Sequence, residues 1–216
     1  MENNKKYIRI SAFALFGLGV IYAIVLVLGL LSLSSPAEAI GNPYVSIMEV
    51  IIIAMTPFMV LFSASIYLTN EREHKLTNFM AVLFMTMASC ITSGVHIVVL
   101  SINNHAGANQ LPWFQQFFAW EWPSVVYALD ILAWDLFFAL AVLCLIPNYY
   151  KTNRVITALL SLTGILSLIG LIGPVISDMQ FRLIGVLGYA GFFPIACLFI
   201  GYQIVKSGKR IQEERI

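Results

Sequence analysis

Residues 122–150 read WPSVVYALDILAWDLFFALAVLCLIPNYY, a stretch that carries two aspartates and no other charged side chain. Its apolar part is long enough to cross a bilayer as a helix, which takes about 20 mostly apolar residues. A carboxylate at membrane depth costs at least roughly 2.5 kcal/mol, so it is usually retained for a role and faces protein or water rather than lipid. Asp130 and Asp135 therefore mark the region in which function is to be sought.

The whole chain has the composition of a membrane protein. Hydrophobic residues make up 60% of the 216 positions and charged residues only 11%, whereas about 25% of the residues of a soluble domain are charged. The formal net charge of +1 provides no basic excess that would attract nucleic acid. The lipid bilayer is the expected partner, and no nucleic acid is expected.

Five further stretches resemble residues 122–150 in length and apolarity. No run alternates apolar and polar residues as a barrel strand would, and helices are the other structure whose backbone is satisfied in lipid. The sequence therefore predicts an all-α, polytopic membrane protein: a six-transmembrane-helix bundle forming a single domain, residues 1–216. The predicted spans are residues 8–33, 46–68, 78–100, 123–145, 155–177 and 183–205.

Lysine and arginine residues predict the direction of threading. Of the twelve, only Arg182 falls in a connection on the far side of the predicted bundle. Because cytoplasmic loops carry the excess of basic residues, both termini are expected in the cytoplasm, in a multi-pass protein of a bacterial or archaeal plasma membrane. The eleven residues on the cytoplasmic side are Lys5, Lys6, Arg9, Arg72, Lys75, Lys151, Arg154, Lys206, Lys209, Arg210 and Arg215.

The connection between spans three and four, residues 102–122, is longer than the others. Pro112 is well placed to begin a helix within it, and aromatic residues share one side of that helix. The pattern predicts a helix lying in the membrane interface, either as an aromatic belt or as a lid over a cavity. The aromatic residues are Trp113, Phe114, Phe117, Phe118 and Trp120.

Polar side chains share one helical face in each of spans two, three and four, and these faces most simply meet one another. At 1.5 Å per residue, Glu49, His96 and Asp130 lie in the outer half of the membrane. We expect Asp130 to approach His96 or Glu49, with Tyr127 beside them and Asp135 near the midplane. The predicted ligand- or proton-binding residues are these five.

Such a cluster of glutamate, histidine and aspartate can serve three chemistries. It can hold a divalent metal through imidazole and carboxylate, or relay protons because imidazole titrates near neutral pH. It can also bind a cationic or hydroxyl-bearing small molecule. Apart from Arg9 at the cytoplasmic start of span one, the predicted spans contain no lysine or arginine, so none is expected to compensate Asp135. Alternatively, each polar side chain only bonds neighbouring helices together.

Three functions therefore stay open, and the sequence identifies neither a cofactor nor an oligomeric state. We favour small-molecule or ion binding or transport, because helix adhesion rarely needs a carboxylate where a serine would serve. The first alternative is an accessory or assembly subunit without a site of its own. The second is an intramembrane enzyme, metal-assisted or not.

The orientation predicts which introduced cysteines react from outside the cell. In a cysteine-free background, Asn42→Cys and Asn109→Cys are expected to react with a membrane-impermeant maleimide in intact cells, and Asn153→Cys only after permeabilisation. Labelling of Asn153→Cys in intact cells would contradict the predicted orientation.

Overall fold

The computed structural model of the chain describes residues 2–35, 40–69, 73–103 and 107–213. These residues contain six helices long and apolar enough to cross a membrane, and no β-strand. The predicted fold class is confirmed, and the chain is an integral membrane protein. The spans are Asn4–Leu31, Tyr44–Thr69, Lys75–Ile102, Val125–Asn148, Arg154–Ile176 and Gln180–Lys206. Arg72 and Arg215, two residues that support the predicted orientation, lie outside the described residues.

The six spans form a closed ring. Each span packs against the next along the chain, and span six returns to pack against span one. Gly19 lies at this closure, where a Cβ atom would come within 2.8 Å of Pro194. Because the number of described spans is even, the start of span one and the end of span six lie at the same end of the ring. We call that end proximal and the opposite end distal.

The outward faces of the spans are apolar, whereas the middle of the ring is filled by aromatic side chains. Residues such as Ile24, Ile165 and Leu187 point outward with about half their surface exposed, as expected of side chains in contact with lipid. Phe62, Phe138 and Phe193 are fully buried. The rings of Phe138 and Phe193 lie 4.8 Å apart, and those of Phe62 and Phe193 lie 6.3 Å apart. We call these three rings the aromatic layer.

Spans four and six are each interrupted by a segment of π-helix. Such segments are rare and are frequently found at functional sites. Asp135 lies within the π-helix of span four, and Tyr189 within that of span six. In span four the segments are Val125–Ile131, π-helical Leu132–Phe138, Ala139–Leu145 and a final 3-10 turn, Ile146–Asn148; in span six they are Gln180–Val186, π-helical Leu187–Phe192 and Phe193–Glu213.

The predicted helix between spans three and four is a single turn, Phe114–Phe117. The backbone leaves the helical region at Phe118, with φ −122° and ψ −11°. The ring of Trp113 contacts those of Phe117 and Phe118, at centroid distances of 6.4 and 5.5 Å. These aromatic rings therefore pack on one another instead of lining one side of a longer helix. Trp120 follows the turn and points into the bundle.

Spans five and six approach closely where glycines replace side chains. A Cβ atom on Gly185 would lie 2.6 Å from Oδ1 of Asp135 and 3.2 Å from Cα of Gly170. A Cβ atom on Gly170 would lie 2.8 Å from the Asp135 carboxyl group. These two glycines leave the space that the Asp135 side chain occupies between the spans.

This packing predicts that Gly185→Ala lowers the stability of the folded protein. The added methyl group overlaps a buried carboxyl group and the backbone of span five, and overpacking of this kind typically costs about 1–3 kcal/mol. Gly17→Ala is the matched control, because a Cβ atom there meets nothing within 4 Å. Thermal unfolding in detergent should show a lower midpoint for Gly185→Ala only. Equal midpoints for the two variants would show that the spans can separate at no cost.

Candidate functional site

A cavity of about 250 Å³ lies inside the ring, towards its distal end. Spans one, two, three, four and six contribute to its wall, together with Trp120 from the connection between spans three and four and Met179 from that between spans five and six. Aromatic side chains form much of the wall, and three charged or titratable groups face the same space. The aromatic residues are Tyr22, Trp120, Tyr127, Trp134 and Tyr189; the charged or titratable ones are His96, Asp130 and Arg182.

Five buried ionisable side chains form a continuous chain beside this cavity. Nδ1 of His96 lies 2.5 Å from Oε2 of Glu49, and Nε2 of His96 lies 3.3 Å from Oδ1 of Asp130. Asp130 accepts a hydrogen bond through Oδ2 from Nη2 of Arg182. Nε of Arg182 lies 3.9 Å from Oδ2 of Asp135. None of the five residues exposes more than 6% of its surface. We call this set the ionic chain.

The start of span four places Tyr127 and Asp130 on the inside of the ring. Ser124 caps the helix: its hydroxyl accepts a hydrogen bond from the backbone N–H of Tyr127 at 3.2 Å and donates one to the carbonyl of Ala119 at 2.6 Å. Serine is among the preferred residues for this position because its oxygen satisfies a free N–H of the first turn. The sequence signal is therefore Ser124 together with Pro123, and Asp130 follows almost two turns later.

The structure corrects the prediction that Arg182 lies in a loop and that no base within a span compensates the carboxylates. Span six begins at Gln180, so Arg182 belongs to its first turn, and its side chain is buried. Asp130 lies five residues after the start of span four, and Arg182 lies two residues after the start of span six. The difference of three residues corresponds to about 4.5 Å of depth, which a long arginine side chain can bridge. The predicted span six begins at residue 183, directly after Arg182, because that predicted span was confined to an uncharged stretch.

Tyr127 lies beside the ionic chain, where the sequence analysis placed it. The guanidinium carbon of Arg182 lies 4.1 Å from the centre of the Tyr127 ring, a distance at which a cation is attracted by the face of an aromatic ring. Trp120 contacts both Tyr127 and His96, at centroid distances of 5.6 and 5.4 Å. The two predicted roles of the long connection, an aromatic belt and a lid over a cavity, both stay predictions.

Asp135 is the most deeply buried member of the ionic chain, with none of its surface exposed. Neither carboxyl oxygen has a hydrogen-bond partner. The sequence analysis predicted no compensating base, whereas Arg182 comes within 3.9 Å. Arg182 therefore lies between two carboxyl groups but donates a hydrogen bond to only one of them, Asp130.

Several atoms of the ionic chain remain without hydrogen-bond partners. They include Nε2 of His96, Oδ1 of Asp130 and Nε of Arg182. A buried polar group without a partner costs about 1–3 kcal/mol. His96, Asp130 and Arg182 all line the cavity, so these unsatisfied groups belong to its wall.

Within the described parts of the chain, no group of three histidine, cysteine, aspartate or glutamate side chains is arranged to hold a metal ion. The reason lies in the position of His96. Its two ring nitrogens face different carboxylates, Glu49 on one edge and Asp130 on the other. These carboxylates consequently do not converge on one point, and the positive charge of Arg182 lies beside Asp130.

Comparison of the chain with protein-family models, curated proteins and solved structures finds no match. The structure brings together Glu49, His96, Tyr127 and Asp130, and it adds Asp135 through Arg182. Sequence reasoning missed Arg182, although its isolation on the far side of the bundle from the other basic residues was a signal. It also missed the aromatic wall formed by Trp134 and Tyr189, whose rings lie 4.9 Å apart.

The buried ion pair predicts strong coupling between Asp130 and Arg182. Arg182→Gln leaves a buried carboxylate without its partner, a change that typically costs about 3–5 kcal/mol. The double variant Asp130→Asn, Arg182→Gln should recover most of that loss, because the two charges are removed together. Unfolding of the single and double variants in detergent measures the coupling.

An exposed pair on the same chain is the control. Nζ of Lys151 lies 3.8 Å from Oε1 of Glu73, and both side chains are largely exposed. The cycle Lys151→Gln, Glu73→Gln should show a coupling of less than about 1 kcal/mol. If the buried and exposed pairs give the same coupling energy, the ion pair in the bundle is not the constraint that we assign to it.

Proposed function

We propose that this integral membrane protein binds a small molecule in its distal cavity, as a binding protein or a transporter. The observation that carries the proposal is the juxtaposition of an aromatic-walled cavity with unsatisfied polar atoms of buried ionisable groups. Binding sites for small molecules combine mostly apolar and aromatic walls with a few polar groups that fix orientation. Glu49, His96, Tyr127, Asp130 and Asp135 are the proposed ligand- or proton-binding residues.

The size of the cavity limits what can bind. An apolar cavity of about 150 Å³ holds a benzene molecule, so 250 Å³ accommodates a molecule somewhat larger than benzene. A lipid chain or a drug-sized compound would need more room, since such pockets span about 300–1,000 Å³. The favoured ligand is therefore a compact molecule.

The same features weigh against the other two functions that the sequence left open. A subunit whose carboxylates only bond a partner protein has no use for a cavity beside them, and Asp130 is already engaged within the chain by Arg182. A metal-assisted enzyme needs converging ligands, and His96 instead separates Glu49 from Asp130. Binding makes use of both the space and the charges.

Transport would additionally require the proximal half of the bundle to open. The ring of Phe138, in the aromatic layer, lies 5.2 Å from that of Trp134 and 6.4 Å from that of Tyr189, two residues that line the cavity. The π-helical segments of spans four and six end at or next to this layer. A shift from π-helical to α-helical hydrogen bonding there would turn the residues that follow it, which makes these segments the favoured points of movement.

Binding is tested with three probes of nearly equal size: choline, 3,3-dimethyl-1-butanol and 3,3-dimethylbutanoate. The first carries a positive charge, the second none and the third a negative charge. Since Trp120 and Trp134 line the cavity, at least one probe is expected to cause a saturable change in tryptophan fluorescence of the purified protein.

Ala190 lines the cavity. Ala190→Leu should therefore fill part of the cavity and abolish the saturable change in fluorescence. Ala158→Leu adds the same atoms at an exposed position of span five and should leave it intact. If none of the three probes gives a saturable change, or if the two variants behave alike, the cavity is not a binding site and the proposed function is wrong.

A further inference from the structure

The ionic chain contains more acidic than basic groups. Its acids are Glu49, Asp130 and Asp135, and its bases are His96 and Arg182. Even with both bases counted as cations, one negative charge remains. An uncompensated charge in a medium of low polarity is strongly unfavourable, and such a group takes up a proton or a counter-ion instead. The ionic chain must therefore hold either an extra proton on one of its acids or a further cation.

Asp135 is the acid whose charge is least compensated. Its carboxyl group accepts no hydrogen bond, whereas Asp130 accepts one from Arg182. The groups around Asp135 are Arg182 and Tyr189 from span six, Asp130 from its own span and Gly170 from span five. Arg182 is the one cation among these neighbours, and its hydrogen bond goes to Asp130. The extra proton is therefore assigned to Asp135.

The cavity offers a recognisable place for a cation. Asp130 lines the cavity and is 3% exposed; its Oδ1 accepts no hydrogen bond and lies 3.3 Å from Nε2 of His96. The rings of Trp120, Tyr127 and Trp134 line the same space. A carboxylate surrounded by aromatic faces attracts ammonium groups, because the faces of aromatic rings carry partial negative charge. Counted over the whole ionic chain, three acids stand against two bases, so an added cation, and not an added anion, balances its charge.

We infer that the cavity binds a compact organic cation, and that its binding displaces the proton of Asp135. This inference rests on the proposed function and specifies its ligand. The cation pairs with Asp130, and Arg182 then compensates Asp135, whose carboxyl group already lies 3.9 Å from Nε. The proton of Asp135 leaves to water. One positive charge enters and one leaves, so the net charge of the buried chain does not change.

The three shape-matched probes test the charge of the ligand. Choline is expected to bind about tenfold or more tightly than 3,3-dimethyl-1-butanol, which has the same shape without the charge. The anion 3,3-dimethylbutanoate is expected to show no saturable binding. If the alcohol or the anion binds as tightly as choline, the inference is overturned while the proposed function stands. If no probe binds, both are overturned.

Proton release is measured in weakly buffered solution with a pH-indicator dye. Choline has a fixed charge, so any proton released on its binding comes from the protein. We expect one proton per bound choline, with a dissociation constant that falls by about tenfold for each unit of rising pH across the range of release. Choline binding without proton release, or with a dissociation constant independent of pH, would overturn the exchange.

Asp135→Asn removes the proposed exchangeable proton and keeps the shape of the protonated carboxyl group. It should abolish proton release and weaken choline binding. Glu121→Gln, which removes an acidic group at an exposed position, should leave both unchanged. The pH dependence of the unmodified protein tests the same step without relying on the folding of a variant. If Asp135→Asn still releases one proton per bound choline, the proton comes from another group and its assignment to Asp135 is wrong.

Discussion

The hydrogen-bonded ion pair between Asp130 and Arg182 is the interaction on which the distal half of the bundle depends. Each charge alone would be costly inside a membrane protein, and each comes from a different span. The pair therefore requires span six to begin before Arg182, so that Arg182 belongs to its first turn. It also requires span four to direct Asp130 towards the inside of the ring. Tyr127, which covers the guanidinium, and His96, which faces the other oxygen of Asp130, complete the surroundings of the pair.

The cavity lies in the same distal half of the ring as this ion pair, and both residues of the pair line it. Farther from the distal end, the aromatic rings of Phe62, Phe138 and Phe193 pack on one another. The buried charged side chains of the described residues thus belong to the distal half and the middle of the ring, whereas the proximal half buries uncharged polar groups such as Ser63 and Asn78. That division is the basis on which we propose binding and not passage through an open channel.

The sequence predicts the spans well, because the bilayer imposes a length and an apolarity that single sequences display directly. It also predicts which faces of spans two, three and four meet, so that Glu49, His96 and Asp130 were correctly expected to approach one another. Arg182 was missed for a physical reason. Its backbone lies at the start of span six, and its long side chain extends from there into the bundle. A hydropathy pattern locates residues along the chain and does not show how far a side chain extends. The π-helical segments around Asp135 and Tyr189 were missed because no residue pattern in the two spans distinguishes them from α-helix.

The separation of the partners along the chain has a consequence for how the protein is made. Asp130 and Arg182 are 52 residues apart, and synthesis proceeds from the N-terminus. Span four is therefore synthesised before the arginine that neutralises its carboxylate exists, and the ring cannot close on span one until span six follows. Until span six follows, the carboxylates of span four lack this cation, and neutral aspartates or the translocon can compensate for its absence. Span six both closes the ring and delivers the cation that pairs with the carboxylate.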